Sequence, residues 1–303
     1  MTHPAATQTG APGPVGLSVD GLRAGYGDAG AAVLDGVSFE LPPGARLSVV
    51  GASGCGKSTL LNVLAGVLAP EAGSVEAGGR AVAAADLDGS GRPGCRSGHA
   101  AYMFQNDLLL PWRTVLGNAT LAAEAGSPGG GRAGRAGRAA TEARARAVLA
   151  ELGLGEMCDA RPGQLSGGMR QRAALARTLV AGKGLVLLDE PFGSLDTLTR
   201  AEARLWLLEA MRTHPATWVL VTHDVREAVL LGDVVAVLGG RPARLHGRIE
   251  TGIGEDVRLQ LAARDAGSPA AAGAGASALA VAEERVRALT AEVLALLMTR
   301  RDA

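Results

Sequence analysis

The segment GASGCGKST, residues 51–59, constrains the fold of this chain more than any other part of the sequence. The apolar, β-branched run ARLSVV ends directly before it, and the segment KSTLLNVLAGVLA (57–69) carries Leu60, Leu64, Val67 and Leu68 at helical spacing. A strand, a glycine-rich loop and a helix in this order are the setting of a phosphate-binding P-loop, whose pattern is G-x-x-x-x-G-K-[ST]. The segment therefore predicts an α/β fold that binds a nucleotide.

The residue types of this loop suit contact with phosphate groups. Glycines let backbone N–H groups surround the phosphates at the positive end of a helix. Lys57 is expected to reach the β- and γ-phosphates and Ser58 to hold Mg²⁺. The alternative is a glycine turn with a chance lysine, but the chain has only two lysines, Lys57 and Lys183. We expect every residue of the loop to contact ATP: Gly51, Ala52, Ser53, Gly54, Cys55, Gly56, Lys57, Ser58 and Thr59.

Composition narrows the class of protein further. Lys+Arg and Asp+Glu number 30 each, so the net charge is zero, whereas binding to nucleic acid through its phosphates usually needs a basic excess. No apolar run of about 18 residues is present to span a bilayer, and the N-terminus lacks the features of a secretory signal. The spacing of Cys55, Cys95 and Cys158 predicts neither a disulfide framework nor a metal site. We therefore expect a cytoplasmic protein with no nucleic-acid partner.

An acidic pair follows a second buried strand in the sequence LVLLDEP, residues 185–191. Open α/β sheets bind ligands at the carboxyl ends of their strands. There Asp189 suits coordination of Mg²⁺, and Glu190 suits a general base that polarises the attacking water. Such a pair alone could equally cap a strand, but its position after a P-loop predicts a catalytic role.

The sequence LSGGMRQR, residues 165–172, leads into another apolar helix. Ser166, Gly167 and Gly168 predict a second anion-binding helix start, although the motif alone would indicate only a capped helix. With the P-loop before it and the acidic pair after it, the chain closely resembles the ABC ATPase family. The family signature is usually LSGGQ, and here Met169 replaces the glutamine.

Four further residues match motifs of this family in the family's order. Tyr26 corresponds to the aromatic residue that stacks on adenine, although a tyrosine on a strand surface is the alternative. Gln105 corresponds to the glutamine that senses Mg²⁺, water and the permease, and Asp196 to the loop that crosses the dimer interface. His223, after the strand TWVLVT, corresponds to the switch histidine that contacts the γ-phosphate. The resemblance implies catalytic roles for Lys57, Gln105, Glu190 and His223, and metal contacts for Ser58, Gln105 and Asp189.

The expected fold is a P-loop α/β core with an antiparallel β subdomain and a helical subdomain that carries the signature. We place a flexible tail at 1–15, the ATPase domain at 16–245 and a C-terminal extension at 246–303. The helical subdomain is expected at about 106–182, with a low-complexity, loosely ordered insert at 125–140. The extension is expected to end in an amphipathic helix whose apolar face carries Val286, Leu289, Val293, Leu296 and Leu297.

The stretch FQNDLLLPWRTVLGNA resembles the nitrate, sulfonate and taurine importer branch of the family. Its form YMxQxDLLLPWRTV is most similar to importers of hydroxymethylpyrimidine, a thiamine precursor, except that Gly117 stands where that branch usually has Asp. An exposed Leu–Leu–Pro–Trp surface suits docking on a cytoplasmic helix of a permease. The alternative is that Trp112 and the leucines belong to the core.

This resemblance implies an ATP-hydrolysing importer subunit at the cytoplasmic face of the membrane. Two copies would enclose two ATP molecules head to tail, bind integral membrane permease subunits and act indirectly with an extracytoplasmic solute-binding protein. The alternative function is a soluble ABC ATPase that acts on nucleic acid or ribosomes. That class usually carries tandem ATPase units, a coiled-coil insertion or zinc cysteines, and the Arg132–Arg146 run is the best hint of it here.

Overall fold

The computed structural model describes residues 13–26, 32–82, 99–125, 132–268 and 276–298. The strands are β1 Leu17–Ala24, β2 Leu34–Leu41, β3 Arg46–Val50, β4 Ala72–Ala77, β5 Arg80–Ala81, β6 Ala100–Met103, β7 Leu185–Asp189, β8 Thr217–Thr222, β9 Val234–Gly240 and β10 Ala243–Glu250. The helices are α1 Lys57–Leu64, α2 Val115–Ala119, α3 Leu121–Ala125, α4 Arg132–Glu151, α5 Gly167–Val180, α6 Thr197–Thr213, α7 Val225–Leu231, α8 Glu255–Asp265 and α9 Ala276–Met298.

These strands form one sheet in the order β5-β4-β1-β2-β10-β9-β3-β8-β7-β6. Neighbouring strands from β9 to β6 in this order pair in parallel, whereas β1, β2, β4 and β5 pair antiparallel with one another. Strand β10 joins the two groups, antiparallel to β9 and parallel to β2. The predicted α/β fold with an antiparallel β subdomain is therefore confirmed. Because parallel strands point the same way, the loops after β3, β6, β7 and β8 emerge at one edge of the sheet.

Helices cover both faces of the parallel strands, which is why those strands are almost continuously apolar. On β7, Leu185 and Leu187 pack in the cluster that contains α1, whereas Val186 and Leu188 pack in the cluster that contains α5 and α6. This alternation follows from the two-residue repeat of a strand. Packing of helices on both faces fixes the positions of the parallel strands, and the nucleotide motifs lie at the carboxyl ends of these strands.

The first helix is shorter than its apolar spacing predicts. We expected a helix over 57–69, but α1 ends at Leu64, and Val67 is exposed. Gly66 follows with a φ of 71°, in the left-handed region that glycine adopts without steric cost. The leucine spacing continues past the helix end only by coincidence.

The insert that we expected to be loosely ordered at 125–140 is helical from Arg132 onward, so that expectation is wrong for residues 132–140. Alanine and arginine are strong helix formers and outweigh the two glycines at the start of α4. The second half of the helix is anchored, because Ala145, Val148 and Leu149 are buried in the cluster with α5. Residues 126–131 lie outside the described part of the chain.

The predicted boundary at residue 245 falls inside β10, so the sheet continues to Glu250. The predicted apolar face of the last helix is correct: Val286, Leu289 and Val293 are buried in α9 and pack in one cluster with α7, α8 and β9. The extension is thus packed on the ATPase core. Within the described residues, no helix is long and apolar enough to cross a membrane.

The predicted tail at 1–15 lies mostly outside the described residues. Its last residue is held in place, because the Val15 N–H donates to the Gly184 carbonyl at 3.3 Å and the Val15 carbonyl accepts from the Thr217 hydroxyl at 2.5 Å. Val15 therefore lies beside the loops that precede β7 and β8.

Arg258 of α8 fixes the extension to the core by hydrogen bonds. Its side chain is 1% exposed, and it donates to the carbonyls of Ile253, Leu230 and Gly232 at 2.7–2.9 Å. It also donates to Asp233 Oδ1 at 3.1 Å. Burial lowers the pKa of Arg258 to about 10, so the side chain is still protonated at neutral pH.

We expect Arg258→Met to lower the free energy of unfolding by about 3 kcal/mol, because buried carbonyls and a carboxylate lose their donor. Urea unfolding followed by circular dichroism measures this as a fall in the midpoint. Arg212→Met, at an exposed position of α6, is the control and should shift the midpoint little. An equal, small shift for both variants would show that Arg258 is not an anchor.

Candidate functional site

The P-loop connects β3 to α1 in the conformation that its glycines permit. Gly56 has a φ of 106°, which L side chains rarely adopt, directly before the first residue of α1. A side chain at Gly51 would clash with the carbonyl oxygen of Leu238 on β9. The loop therefore passes so close to β9 that only glycine fits at position 51.

Lys57 curls back into the hollow of this loop. Its ammonium group donates to the carbonyl oxygens of Gly51 and Ala52, each at 2.9 Å, and the residue is only 6% exposed. Cys55 is also buried, with its sulfur 3.6 Å from the Leu238 carbonyl oxygen, and burial raises the pKa of its thiol. Lys57 thus supplies a positive charge inside the loop, while Cys55 packs against β9.

Asp189, the last residue of β7, lies beside Ser58 at the start of α1. The carboxylate is 5% exposed, and burial raises its pKa, while hydrogen bonds from Ser58 and Tyr102 act in the opposite direction. The Tyr102 hydroxyl donates to Asp189 Oδ2 at 3.3 Å. Burial, together with the charge of Asp189, raises the pKa of Tyr102.

The oxygen atoms of Ser58 and Asp189 fit Mg²⁺, which prefers oxygen ligands and is usually held by one or two protein groups together with substrate phosphates. The described residues contain no cluster of three or more His, Cys, Asp or Glu side chains that could hold a metal alone. The two side chains suit a Mg²⁺ ion whose remaining ligands include phosphate oxygens. The metal role of Gln105 stays a prediction, because its amide group contacts Glu190 here.

Glu190 lies where the ends of three neighbouring strands meet. Its Oε2 atom accepts a hydrogen bond from Gln105 Nε2 at 3.3 Å and lies 3.3 Å from His223 Nδ1. Gln105 follows β6, Glu190 follows β7 and His223 follows β8, so the parallel register brings together three side chains that are distant in sequence. Three of the four residues to which the resemblance implies catalytic roles therefore share one cluster.

The backbone at Glu190 is strained, because its φ is 44° and the residue is not glycine. Two hydrogen bonds hold this conformation: the Glu190 N–H donates to the Val221 carbonyl, and its own carbonyl accepts from the Gly193 N–H. Such a conformation costs about 1–3 kcal/mol and persists only where surrounding contacts enforce it. It aims the carboxylate toward Gln105 and His223.

The signature residues form a second group at the start of α5. Ser166 caps the helix by accepting from the Met169 N–H at 3.3 Å, and a side chain at Gly168 would press on Thr199 of α6. Asp196 caps α6, and its hydrogen bonds, chiefly from the Thr199 hydroxyl, lower its pKa. The predicted signature and the predicted interface loop are thus packed against each other.

Tyr26, at the end of β1, is 55% exposed, and its hydroxyl accepts from Asn62 Nδ2 at 3.1 Å. The tyrosine ring therefore lies beside α1 and is partly exposed to solvent. Stacking on adenine stays a prediction for this residue.

The loop after Gln105 is exposed at its tip and held at its base. Trp112 is 69% exposed and Leu108 is 54% exposed, so the alternative that Trp112 belongs to the core is wrong. Leu109 is buried, however, so that leucine does belong to the core. The loop presents an aromatic and an aliphatic side chain to solvent at the surface of the helical subdomain.

Three polar residues that sequence reasoning missed hold this loop in place. Arg177 of α5 donates to the carbonyls of Leu108 and Asp107 at 2.7 Å, and Arg170 donates to the Asp107 carboxylate at 3.1 Å. The amide of Asn118 binds the backbone on both sides of Trp112 through four hydrogen bonds. Arg170 lies within the signature segment, so the loop and the signature helix are joined directly. The position of Arg170 in the signature segment is the sequence feature that could have drawn attention to this contact.

The family model described as ABC transporter matches residues 34–193 of this chain. The aliphatic sulfonates import ATP-binding protein SsuB 2 of Xanthomonas axonopodis pv. citri (strain 306) is 44% identical over 237 residues, which cover 78% of this chain and 71% of that protein. The bicarbonate transport ATP-binding protein CmpD of Synechocystis sp. is 37% identical over 223 residues, which cover 72% of each. The dimeric structure of MJ0796, a bacterial ABC transporter cassette, matches with a TM-score of 0.63 and 26% identity, over 77% of this chain and 98% of that one.

The chain therefore belongs to the ABC transporter family, and the ABC ATPase fold predicted from its motifs is confirmed. Within the family it is of the kind that binds and hydrolyses ATP to drive transport, as predicted. The alternative, an ABC ATPase that acts on nucleic acid or ribosomes, receives no support from these relatives.

We expect Lys57→Ala to weaken ATP binding at least tenfold, about 1.4 kcal/mol, because the positive charge inside the loop is lost. Isothermal titration calorimetry with ATP measures the dissociation constant. Lys183→Ala is the matched control, since Lys183 is the other lysine of the chain and lies outside the P-loop. An unchanged dissociation constant for Lys57→Ala would contradict the role assigned to this lysine.

Proposed function

We propose that Glu190 is the general base of ATP hydrolysis and that the surrounding side chains orient the attacking water and the γ-phosphate. The observation that carries this proposal is the cluster in which Glu190 Oε2 lies 3.3 Å from both Gln105 Nε2 and His223 Nδ1, at the sheet edge that carries the P-loop. Gln105 would orient the water, Glu190 would accept its proton, and His223 would contact the γ-phosphate.

The phosphates would be held by the P-loop and by two metal-binding side chains. Lys57 would transfer its hydrogen bonds from the carbonyls of Gly51 and Ala52 to the β- and γ-phosphates. Ser58 and Asp189 would hold Mg²⁺, which neutralises charge that develops on the phosphates during transfer. Tyr26 would stack on adenine with its exposed ring.

A second copy of this chain would complete each site. Ser166 and the N–H groups at the start of α5 would form an anion-binding helix end of their own, on the helical subdomain rather than beside the P-loop. In a head-to-tail dimer, the signature segment of each copy would face the ATP held by the other copy's P-loop. The dimeric cassette among the structural matches supports this arrangement.

The exposed loop with Leu108 and Trp112 would dock on a membrane permease at the cytoplasmic face of the membrane. Gln105 stands a few residues before this loop and contacts Glu190, so occupancy of the nucleotide site would be felt at the docking surface. Exposed aromatic side chains on a rigid base are typical of protein interfaces. A solute-binding protein outside the membrane would deliver the solute to that permease.

The solute is proposed to be a small molecule of the nitrate, sulfonate and taurine class. The support is the segment FQNDLLLPWRTVLGNA together with the names of the relatives, which refer to aliphatic sulfonates and bicarbonate. Neither of these names points to a pyrimidine precursor, so we do not extend the proposal to that solute.

Glu190→Gln tests the catalytic part of this proposal. We expect the rate of ATP hydrolysis to fall about 10²–10⁴-fold, because an amide cannot accept the proton of water, while ATP binding is retained. ATP should then hold the variant as a dimer in size-exclusion chromatography. Glu202→Gln, at an exposed position of α6, is the control and should hydrolyse ATP normally. Normal hydrolysis by Glu190→Gln would remove Glu190 from the proposed role.

Trp112→Ala tests the docking part. We expect ATP hydrolysis by the isolated subunit to stay within about twofold, while binding to the permease weakens by more than 2 kcal/mol, as for other aromatic interface anchors. Copurification with the permease subunits that bind this chain measures the loss. Val67→Ala removes another exposed apolar side chain and should leave copurification unchanged. Unchanged copurification of Trp112→Ala would show that this loop is not the dock.

A further inference from the structure

The C-terminal extension reaches the helix that carries the switch histidine. Arg226 lies in the first turn of α7, three residues after His223. Its Nη1 atom donates to Glu283 Oε1 of α9 at 2.8 Å, and its Nη2 atom donates to Asp265 Oδ2 of α8 at 3.1 Å. One guanidinium group therefore joins α7 to both helices of the extension.

Further arginines surround the two carboxylates. Arg264 Nη2 donates to Glu283 Oε2 at 2.5 Å, and Arg204 of α6 lies 3.6 Å from Asp265 Oδ2. The hydrogen bond from Arg226 holds the pKa of Glu283 below its usual range. The carboxylates are largely shielded, with side-chain exposures of 12% for Glu283 and 17% for Asp265. Salt screens pairs of this kind less than it screens pairs on an open surface.

Hydrogen bonds within the short segment from Thr222 to Glu227 join the backbone around His223 to the start of α7. The Thr222 hydroxyl donates to Glu227 Oε2 at 2.8 Å and accepts from the Asp224 N–H at 3.0 Å. Asp224 in turn caps α7 by accepting from the Glu227 N–H at 3.1 Å. The backbone on both sides of His223 is thus tied to the first turn of α7, the turn that Arg226 anchors.

The last turn of α9 approaches the nucleotide site at a second point. A cavity of about 290 Å³ is lined by Leu297 and Met298 of α9, by the P-loop residues 51–53 and by His223. One helix of the extension therefore contacts the switch segment through Glu283 and borders the P-loop with its end.

We propose that Glu283 is a positioning residue for ATP hydrolysis: through Arg226 it fixes the first turn of α7 and with it the imidazole of His223. The C-terminal extension then contributes to ATP hydrolysis by positioning a residue of the site. Asp265 shares the same guanidinium and is the second carboxylate of this brace. The inference rests on the role proposed above for His223.

The test compares Glu283→Gln with Glu284→Gln, a matched change at the exposed neighbouring position of α9. Glu283→Gln keeps the side-chain shape and removes the charge. We expect its kcat for ATP hydrolysis to fall about fivefold or more with KM for ATP within twofold, while Glu284→Gln behaves like the unmodified chain. The same two changes are then made in a His223→Ala variant, and the rate of phosphate release is measured under single-turnover conditions. If the effect of Glu283 passes through His223, adding Glu283→Gln to His223→Ala should lower this rate no further.

The outcomes separate this inference from the proposed function. A normal kcat for folded Glu283→Gln, with a low kcat for His223→Ala, overturns the positioning role alone. An equal fall in both backgrounds also overturns it, since the effect would not pass through His223. A normal kcat for His223→Ala overturns the role of the histidine and this inference with it.

A second variant decides the case in which Glu283→Gln does not fold. Arg226→Lys keeps the charge but cannot bridge two carboxylates, because a single ammonium replaces the planar fork of arginine. It should show the same fall in kcat at unchanged KM. A folded Arg226→Lys variant with normal kcat overturns the proposal.

Discussion

The parallel register of β6, β7 and β8 is the constraint on which the rest of the site depends. These strands are paired residue by residue, so that Met103 lies beside Leu188, and Asp189 beside Val221. Because the strands end level with one another, the next residues of each strand reach the same edge. Gln105, Glu190 and His223 meet there, although up to 118 positions separate Gln105 from His223 in the sequence. The strained backbone of Glu190 is tolerated at this edge because β8 supplies the carbonyl that binds its N–H.

The parts of this arrangement that depend on local sequence could be predicted. A P-loop, an acidic pair after a buried strand and a capped Ser–Gly–Gly helix start each lie within a few residues, and each carries its chemistry in that short span. The length of α1 could not be predicted from spacing, because Gly66 ends the helix while the leucine pattern continues. The helical conformation at the start of α4 could not be predicted either, because its glycine content indicates a loop. The helix is anchored by Val148 and Leu149, and this anchoring depends on packing with α5.

The contacts that link the site to the rest of the molecule join residues far apart in sequence. Arg226 and Glu283 are 57 positions apart, and Arg177 and Leu108 are 69 positions apart. No spacing rule connects such pairs, because the fold, not the chain, makes them neighbours. In the same way the strand β10 runs across the boundary that the family resemblance suggested at residue 245, and only its pairing with β9 shows where the sheet ends.

These links give the two sides of the nucleotide site different supports. On one side, Gln105 leads into a loop whose base is bound by Arg170 and Arg177, both on the helix that begins with the signature. On the other side, His223 leads into α7, which is bound by carboxylates of α8 and α9. Glu190 lies between them and contacts a residue of each. A movement of the helical subdomain would therefore reach Glu190 through Gln105, whereas the extension would keep His223 in place. Catalysis needs groups held ready where charge develops. A site with one anchored side, and with the other side joined to the proposed docking loop, could therefore couple hydrolysis to the position of the permease proposed to bind there.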